Sequence, residues 1–197
     1  MPTTLRLAAL ACLTAGSLSA AESALRFVDL RAQGGLTLND GETANLTLMA
    51  GDIGNKDKHI VSLDADMGIV LGLRGQVSQV TFKRNDGLGD LDMKLGGGTF
   101  LGGLGFYLGT NSHAELVVGY ARGLGSTTGS NPWDDDDTKF TQYVGELGWY
   151  YTWSTNIQVG VTVGYSLLKV KYNDPLIGTI KGEADGFDAS IALGYRF

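Results

Sequence analysis

The chain has 197 residues, with 21 acidic against 15 basic side chains and a formal net charge of −6. This acidic balance argues against nucleic acid as a partner, because the phosphate backbone repels it. Glycine occurs 30 times and proline only 3 times, a bias that favours closely packed strands over a disordered linker. No cofactor motif stands out from this composition.

Residues 1–21 are predicted to be a secretory signal peptide. Arg6 supplies a positive charge, residues 7–18 form a short apolar stretch, and small residues precede a cleavage position before Glu22. The stretch is shorter than the about 20 apolar residues that a membrane helix needs. Because the one cysteine, Cys12, lies inside this leader, we expect no disulfide, thiol catalyst or cysteine-bound metal in the mature chain.

From residue 43 onwards, apolar residues alternate with small or polar ones, which is the period of two that strand pleating imposes. In one such run Ile157, Val159 and Val161 alternate with Gln158 and Gly160. The alternation predicts eight strands, at residues 43–50, 61–73, 76–84, 101–109, 113–123, 142–153, 157–167 and 187–197.

The connections between these strands alternate in length. The predicted short turns are residues 74–75, 110–112 and 154–156, and the long ones are 85–97, 124–138 and 173–180. Residues 51–58 are predicted to be the first of the long loops. Short and long connections that alternate in this way favour an up-and-down arrangement of antiparallel strands.

The last strand carries the most specific signal. From Phe187 to Phe197 apolar and small or polar residues alternate without a break, and the chain stops on an aromatic residue. A free carboxylate directly after Phe197 must stay wet, which is awkward for a buried strand of a soluble core. Together with the leader, this strand resembles the closing strand of small Gram-negative outer-membrane β-barrels of the OmpA-like, eight-stranded type.

The resemblance implies an all-β, antiparallel up-and-down transmembrane barrel over residues 43–197, located in the cell outer membrane and monomeric. Short turns would lie in the periplasm and long loops outside. Tyr195 and Phe197 would belong to the signal that the barrel-assembly machinery reads. Residues 22–42 then either extend the first strand, lie in the periplasm or plug the lumen.

A soluble β-sandwich also has alternating strands, but two features favour the membrane barrel. The strands exceed the usual 5 to 6 residues of sheets. Aromatic residues also gather at the predicted periplasmic interface, as an aromatic girdle requires. They are Phe106, Trp149, Tyr151, Trp153, Tyr195 and Phe197.

Catalytic and metal-binding signals are weak. His113 is predicted to be a surface histidine at a periplasmic turn, and His59 lies beside charged residues with no recognisable catalytic motif. The acidic run Asp134, Asp135, Asp136 and Asp137 could offer oxygen ligands to Ca²⁺ or Mg²⁺. Its spacing matches no calcium-loop motif, so a solvated loop tip is the favoured interpretation.

Strand parity predicts a polar network inside the barrel. Eight strands leave an interior that side chains just fill, so a paired plug is favoured over a pore. A leak pathway, if present, would prefer cations because its lining is acidic. The inward charged residues are Asp64, Asp66, Lys83, Glu115, Glu146, Asp188 and Arg196.

The same parity places four basic residues on the outside at the upper strand ends: Arg84, Arg122, Lys169 and Lys171. There they either bind phosphates of lipopolysaccharide through charge-assisted hydrogen bonds or extend their charged ends to water. The sequence therefore predicts a structural or surface-interaction protein without catalysis, with outer-membrane lipids as partners. A narrow cation-preferring channel and an outer-leaflet lipid-modifying enzyme are the alternatives.

Overall fold

The computed structural model describes residues 24–37, 41–54, 67–82, 91–109, 111–128, 138–174 and 178–197. Within them the chain forms eight strands, and no helix of this part is long and apolar enough to cross a membrane. The strands are β1 (Ala24–Thr37), β2 (Gly41–Gly54), β3 (Met67–Phe82), β4 (Leu91–Gly109), β5 (Ser112–Thr128), β6 (Thr138–Thr152), β7 (Ile157–Asp174) and β8 (Gly178–Arg196).

The strands close into a barrel in sequence order, and β8 pairs with β1. Every neighbouring pair is antiparallel, which confirms the predicted all-β, eight-stranded, up-and-down fold. We follow the register partners from one strand to the next, starting at Arg31 on β1 and passing through β2 to β7. This path reaches β8 at Ala184, whereas the direct partner of Arg31 on β8 is Gly194. This stagger shows that the strands tilt against the barrel axis, as closure of a barrel requires.

The barrel begins at Ala24, not at residue 43. None of the three placements considered for residues 22–42 included a separate strand, but residues 24–37 form one, β1, which pairs with β2 and β8 along most of its length. The alternation is disguised in the sequence because two inward positions, Asp29 and Arg31, carry charges. Both side chains are buried, with 0% and 1% exposure.

β3 is one continuous strand, so the predicted turn at residues 74–75 is wrong. Arg74 is buried and pairs in register with Thr47 and Thr99, and Gly75 pairs with Leu46 and Gly98. An Arg-Gly pair is typical of a turn in the sequence, but inside this barrel the guanidinium points to an acidic partner. The predicted number of strands is therefore correct only through two compensating errors, a missed β1 and a divided β3.

β1 begins and β8 ends at the same end of the barrel, here called the terminal end. β2 also ends there at Gly54 and β3 begins there at Met67, while β1 ends and β2 begins at the opposite, outer end. The prediction that residues 51–58 form the first outer loop is therefore wrong. The strict alternation of short and long connections fails at the first two connections.

The outer surface carries a belt of exposed apolar side chains bounded by two aromatic girdles. At the terminal end Tyr195 packs against Phe197 at 5.2 Å between ring centroids, and Tyr151 against Trp153 at 5.3 Å. Nearer the outer end the second girdle contains Tyr120, Tyr143, Tyr165 and Phe187, in two contacting pairs. The sequence predicted only the first girdle. A belt of this kind between two girdles is the surface that a lipid bilayer covers.

The interior contains two apolar clusters. The lower cluster, with residues from β1 to β6, contains Phe27, Met49, Ile53, Val70, Leu101, Val117 and Val144. The upper cluster, on the side of β3 to β7, contains Val80, Met93, Leu95, Ala121, Phe140, Leu168 and Val170. Polar side chains occupy the rest of the interior. Glycine permits close strand contact at Gly103, where an added Cβ would lie 2.0 Å from the carbonyl oxygen of Leu116.

Candidate functional site: the barrel interior and the outer rim

The lower interior is filled by a charged network, here called the plug, centred on Arg31. The Arg31 guanidinium donates to both oxygens of Glu115, at 2.8 and 2.6 Å, and to Asp29 Oδ2 at 2.8 Å. Its Nε donates to Gln158 Oε1 at 2.8 Å. The guanidinium carbon also lies 3.7 Å from the ring centroid of Tyr150. The Arg31 guanidinium is therefore held by acceptors on three strands of the barrel wall, β1, β5 and β7.

Arg196 completes the plug from the last strand. Its Nε and Nη2 donate to the two oxygens of Asp29 at 2.8 and 2.9 Å, and its guanidinium carbon lies 4.4 Å from the ring centroid of Phe27. Asp29 therefore accepts from two arginines. With two guanidinium groups and two carboxylates, Asp29 and Glu115, the plug is balanced in charge, which is the condition under which buried charges are tolerated.

His113 lies inside the plug and not on the surface, so its predicted exposure is wrong. It is 0% exposed and stacks between Phe27, at 4.8 Å, and Tyr150, at 5.3 Å between ring centroids. Its Nε2 donates to Glu115 Oε1 at 2.9 Å, and its Nδ1 faces Arg196 Nη2 at 3.5 Å. A proton on Nε2 can be donated to the Glu115 carboxylate, and it leaves Nδ1 free to accept from the Arg196 guanidinium. The histidine is buried because β5 sends it inwards on the same face as Glu115, two residues along the strand.

Above the plug, Arg74 forms a second ion pair with Glu146. Two parallel hydrogen bonds of 2.5 and 2.6 Å join the groups, and Arg74 Nε donates to Thr47 Oγ1 at 3.1 Å. Thr47 in turn donates to Gln33 at 3.0 Å. This pair crosses the barrel from β3 to β6. It therefore separates the plug below from the space above.

The upper interior holds a polar cavity of about 60 Å³. Arg74 and Glu146 line its lower side, and Asp188 lies in the β8 wall. Amide side chains meet across it, since Gln76 donates to Gln142 at 2.7 Å. The remaining polar residues of the lining are Thr43, Asn45, Ser78, Thr162, Ser166, Asp185 and Ser190.

Basic side chains gather on the outer rim above the second girdle. Lys171 pairs in register with Lys139 on β6 and with Lys181 on β8, and all three side chains are exposed. One row nearer the membrane, Arg122 and Lys169 are both register partners of Thr141. These five residues, Arg122, Lys139, Lys169, Lys171 and Lys181, are called the basic rim below. Lys169 forms an exposed ion pair of 3.0 Å with Glu183.

The site residues expected from the sequence divide into five groups. Glu115 and Arg196 lie in the plug, Glu146 and Asp188 line the cavity, and Arg122, Lys169 and Lys171 belong to the basic rim. Tyr195 and Phe197 lie on the exterior, in the first girdle. The others fall outside the described residues, and they are His59, Asp64, Asp66, Lys83, Arg84, Asp134, Asp135, Asp136 and Asp137.

Sequence reasoning missed the centre of the plug. Asp29 and Arg31 were not recognised because β1 was not, and Arg74 was assigned to a turn. The signal that could have found them is charge at alternate positions of a strand-length segment, as in Asp29, Arg31 and then Gln33. Among the described residues, no group of three or more histidine, cysteine or acidic side chains is arranged to hold a metal ion.

The closed barrel, the apolar belt and the paired girdles define a transmembrane β-barrel of the outer-membrane type. Ail, the attachment invasion locus protein of Yersinia pestis, solved with the heparin analogue sucrose octasulfate, is similar with a TM-score of 0.51 and 12% identity. The similarity covers 89% of this chain and 99% of Ail. The predicted fold and cell outer-membrane class agree with this likeness.

Two further solved structures align less well. A major outer membrane protein from Thermus thermophilus gives a TM-score of 0.45 at 13% identity, covering 88% of this chain and 100% of that one. The outer membrane enzyme PagL gives 0.42 at 11%, covering 83% and 97%. No protein-family model matches the chain, and no curated protein sequence matches it.

Proposed function

We propose that this protein is a non-catalytic outer-membrane barrel whose basic rim binds phosphate groups of lipopolysaccharide. The observation that carries the proposal is the row Lys139, Lys171 and Lys181, in which three like charges are direct cross-strand neighbours. Like charges placed opposite each other in a sheet are destabilising. An anion bound between them removes that penalty and gains charge-assisted hydrogen bonds.

The position of the row supports a lipid phosphate as the anion. On β7 the lysines follow Leu167 and Tyr165, so the charges begin where the apolar belt ends. A basic side chain at this height costs only about 0 to 1 kcal/mol, whereas it would cost about 2 to 4 kcal/mol at mid-membrane. The structure of Ail was solved with a polysulfated ligand, so a barrel of this fold can hold a polyanion.

The absence of catalysis is part of the proposal. His113 is buried in the plug, where its Nε2 donates to Glu115, so this histidine cannot reach a lipid in the outer leaflet. A continuous cation channel is also disfavoured, because the Arg31 side chain crosses the interior and contacts β5 and β7.

The proposal also includes how the barrel assembles. We propose that it is a monomer and that the barrel-assembly machinery reads Tyr195 and Phe197. Deleting Phe197 should leave little barrel in the outer membrane.

The test compares the lysine row with an isolated lysine. Lys94 is also exposed on an outer strand end, but its register partners are Gln79 and Ser126. Replacing Lys139, Lys171 and Lys181 by Gln should remove most of the lipopolysaccharide that copurifies, and should abolish the rise in melting temperature on adding lipopolysaccharide. Lys94→Gln should change neither.

Heat-modifiable gel mobility serves as the folding control for both variants. If the triple variant folds and retains as much lipopolysaccharide as the Lys94→Gln protein, the row is only a solvated surface and the proposed function is wrong.

A further inference from the structure

In the described part of the chain, the barrel wall beside the upper cavity is lower at β1 and β2 than at the other strands. β8 pairs with β1 only as far as Asp188 and Thr37, yet it continues beside β7 to Gly178. On the other side, β3 pairs with β2 only up to Gln79. Above this level the described wall consists of β3 to β8. Among the described strands, the cavity is therefore open towards the outer end above the last paired residues of β1 and β2.

The cavity exists because small side chains line the wall beneath this opening. β8 presents Ala184, Gly186 and Ser190 to the interior, and β7 presents Gly164 and Ser166. The upper apolar cluster fills the opposite side, where Leu168 and Val80 form the edge of the cavity. The small residues thus keep a polar volume open in an eight-stranded barrel, which is otherwise just wide enough for its own side chains.

Asp188 is the one feature of this cavity that protein contacts leave incomplete among the described residues. Its carboxylate accepts a hydrogen bond from Ser166, but its Oδ1 is buried and receives none from any described side chain. The nearby guanidinium of Arg74 is already used by both oxygens of Glu146. Arg74 and Glu146 cancel each other, and the Asp185 carboxylate is bonded to exposed Tyr165, so Asp188 is left as the inward-facing carboxylate of the lining without an ion-pair partner among the described residues.

We infer that the cavity is a binding site for a primary ammonium group, which enters from the outer side and pairs with Asp188. An ammonium group offers three N–H donors and no acceptor, and the lining presents hydroxyl and amide oxygens beside the Asp188 carboxylate. A cavity of about 60 Å³ has room for a few groups of the size of water. The same chemistry fits a soluble amine and the amino group of an ethanolamine lipid headgroup.

This inference is independent of the proposed phosphate-binding rim, because it concerns an interior carboxylate and not the exposed lysines. The most direct test is NMR titration of the refolded protein in nanodiscs of phosphatidylcholine, with ethanolamine as the probe. Ethylene glycol is the neutral probe of matched size, and choline is the cationic probe that has no N–H donors. Saturable shifts should appear at Ser166, Asp188 and Ser190 with ethanolamine alone.

Two variants separate the carboxylate from a general charge effect. Asp188→Asn should weaken ethanolamine binding by about tenfold or more, because the neutral amide no longer offers the ammonium group a charged acceptor. Glu183→Gln removes a carboxylate from the same strand, but on its exposed outer face, and should leave binding unchanged. Nanodiscs that contain phosphatidylethanolamine should reproduce the cavity shifts if the headgroup reaches the site.

The melting temperature of Asp188→Asn distinguishes a binding role of Asp188 from a structural role, because the two roles predict opposite changes. Because Asp188 Oδ1 lacks a donor among the described side chains, Asp188→Asn should fold with an unchanged or higher melting temperature in the absence of amine. A large loss of stability would identify Asp188 as a structural group, and equal shifts with ethanolamine, choline and ethylene glycol would also overturn the inference. Binding of Mg²⁺ at the same residues with no response to ethanolamine would contradict it as well.

Discussion

The two halves of the barrel interior use charge in opposite ways. In the lower half two arginines meet two carboxylates, and Glu115 and Asp29 each accept several hydrogen bonds at 2.9 Å or less. In the upper half one ion pair borders a cavity, and Asp188 keeps an oxygen without a donor among the described residues. The lower half therefore stabilises and closes the barrel, while the upper half leaves binding capacity free.

The difference follows from the size of the side chains that each strand sends inwards. Near the terminal end, long residues from β1, β6 and β7, namely Arg31, Tyr150 and Gln158, contact one another in the interior. Near the outer end, β7 and β8 contribute glycine, alanine and serine. A barrel of eight strands thus acquires a cavity by local reduction of side-chain volume, without additional strands.

The largest effect is expected from breaking the plug at Glu115. Glu115→Leu leaves Arg31 buried without its bidentate partner, and removal of one member of a buried ion pair costs about 3 to 5 kcal/mol. The midpoint of urea unfolding in lipid vesicles should fall accordingly. The exposed Glu183→Leu on β8 is the control and should move the midpoint little, because surface ion pairs contribute about 0 to 1 kcal/mol. Similar midpoints for both variants would contradict a tightly closed lower half.

Removing both partners should cost less than the single changes imply. In the double variant Arg31→Met with Glu115→Leu, neither charge is left stranded, and Asp29 retains Arg196. A double-mutant cycle should give a coupling energy of about 1 to 3 kcal/mol. Additive effects of the two substitutions would show that the groups do not depend on each other in the folded barrel.

A smaller effect is expected at the border between the halves. Glu146→Leu strands Arg74, but the cavity beside it admits water, so we expect a loss of about 2 to 3 kcal/mol. Gln142→Leu, at an inward position of the same strand, breaks one neutral hydrogen bond with Gln76 and should cost about 1 kcal/mol. Equal unfolding midpoints of these two variants would indicate that water screens the Arg74 and Glu146 charges completely.

The sequence allowed the fold class to be predicted because strands with an apolar outer face, such as β7 and β8, alternate without interruption. It failed at β1 and β3, where inward charges resemble the polar composition of loops and turns. The alternation of inward and outward positions assigned Glu115, Glu146, Asp188 and Arg196 to the interior. It does not show how high along the barrel axis each side chain lies or which residue it contacts. The contact of Arg31 with Glu115 depends on the stagger of the closed barrel, which links residues 84 positions apart.

The central claim, a closed lower half and an open upper half, can be tested by thiol accessibility. Cys12 is the one cysteine in the sequence and lies in the predicted leader, so a chain refolded from residue 22 onwards allows single cysteines to be introduced. Ser78→Cys places a thiol in the cavity lining, and Ala192→Cys places one level with Gln33, at a position with 1% exposure. With a small cationic methanethiosulfonate reagent added from the outer side, the thiol at position 78 should react rapidly and the thiol at position 192 should remain unmodified. Comparable reaction rates at both positions would show a continuous water path through the barrel and contradict the account.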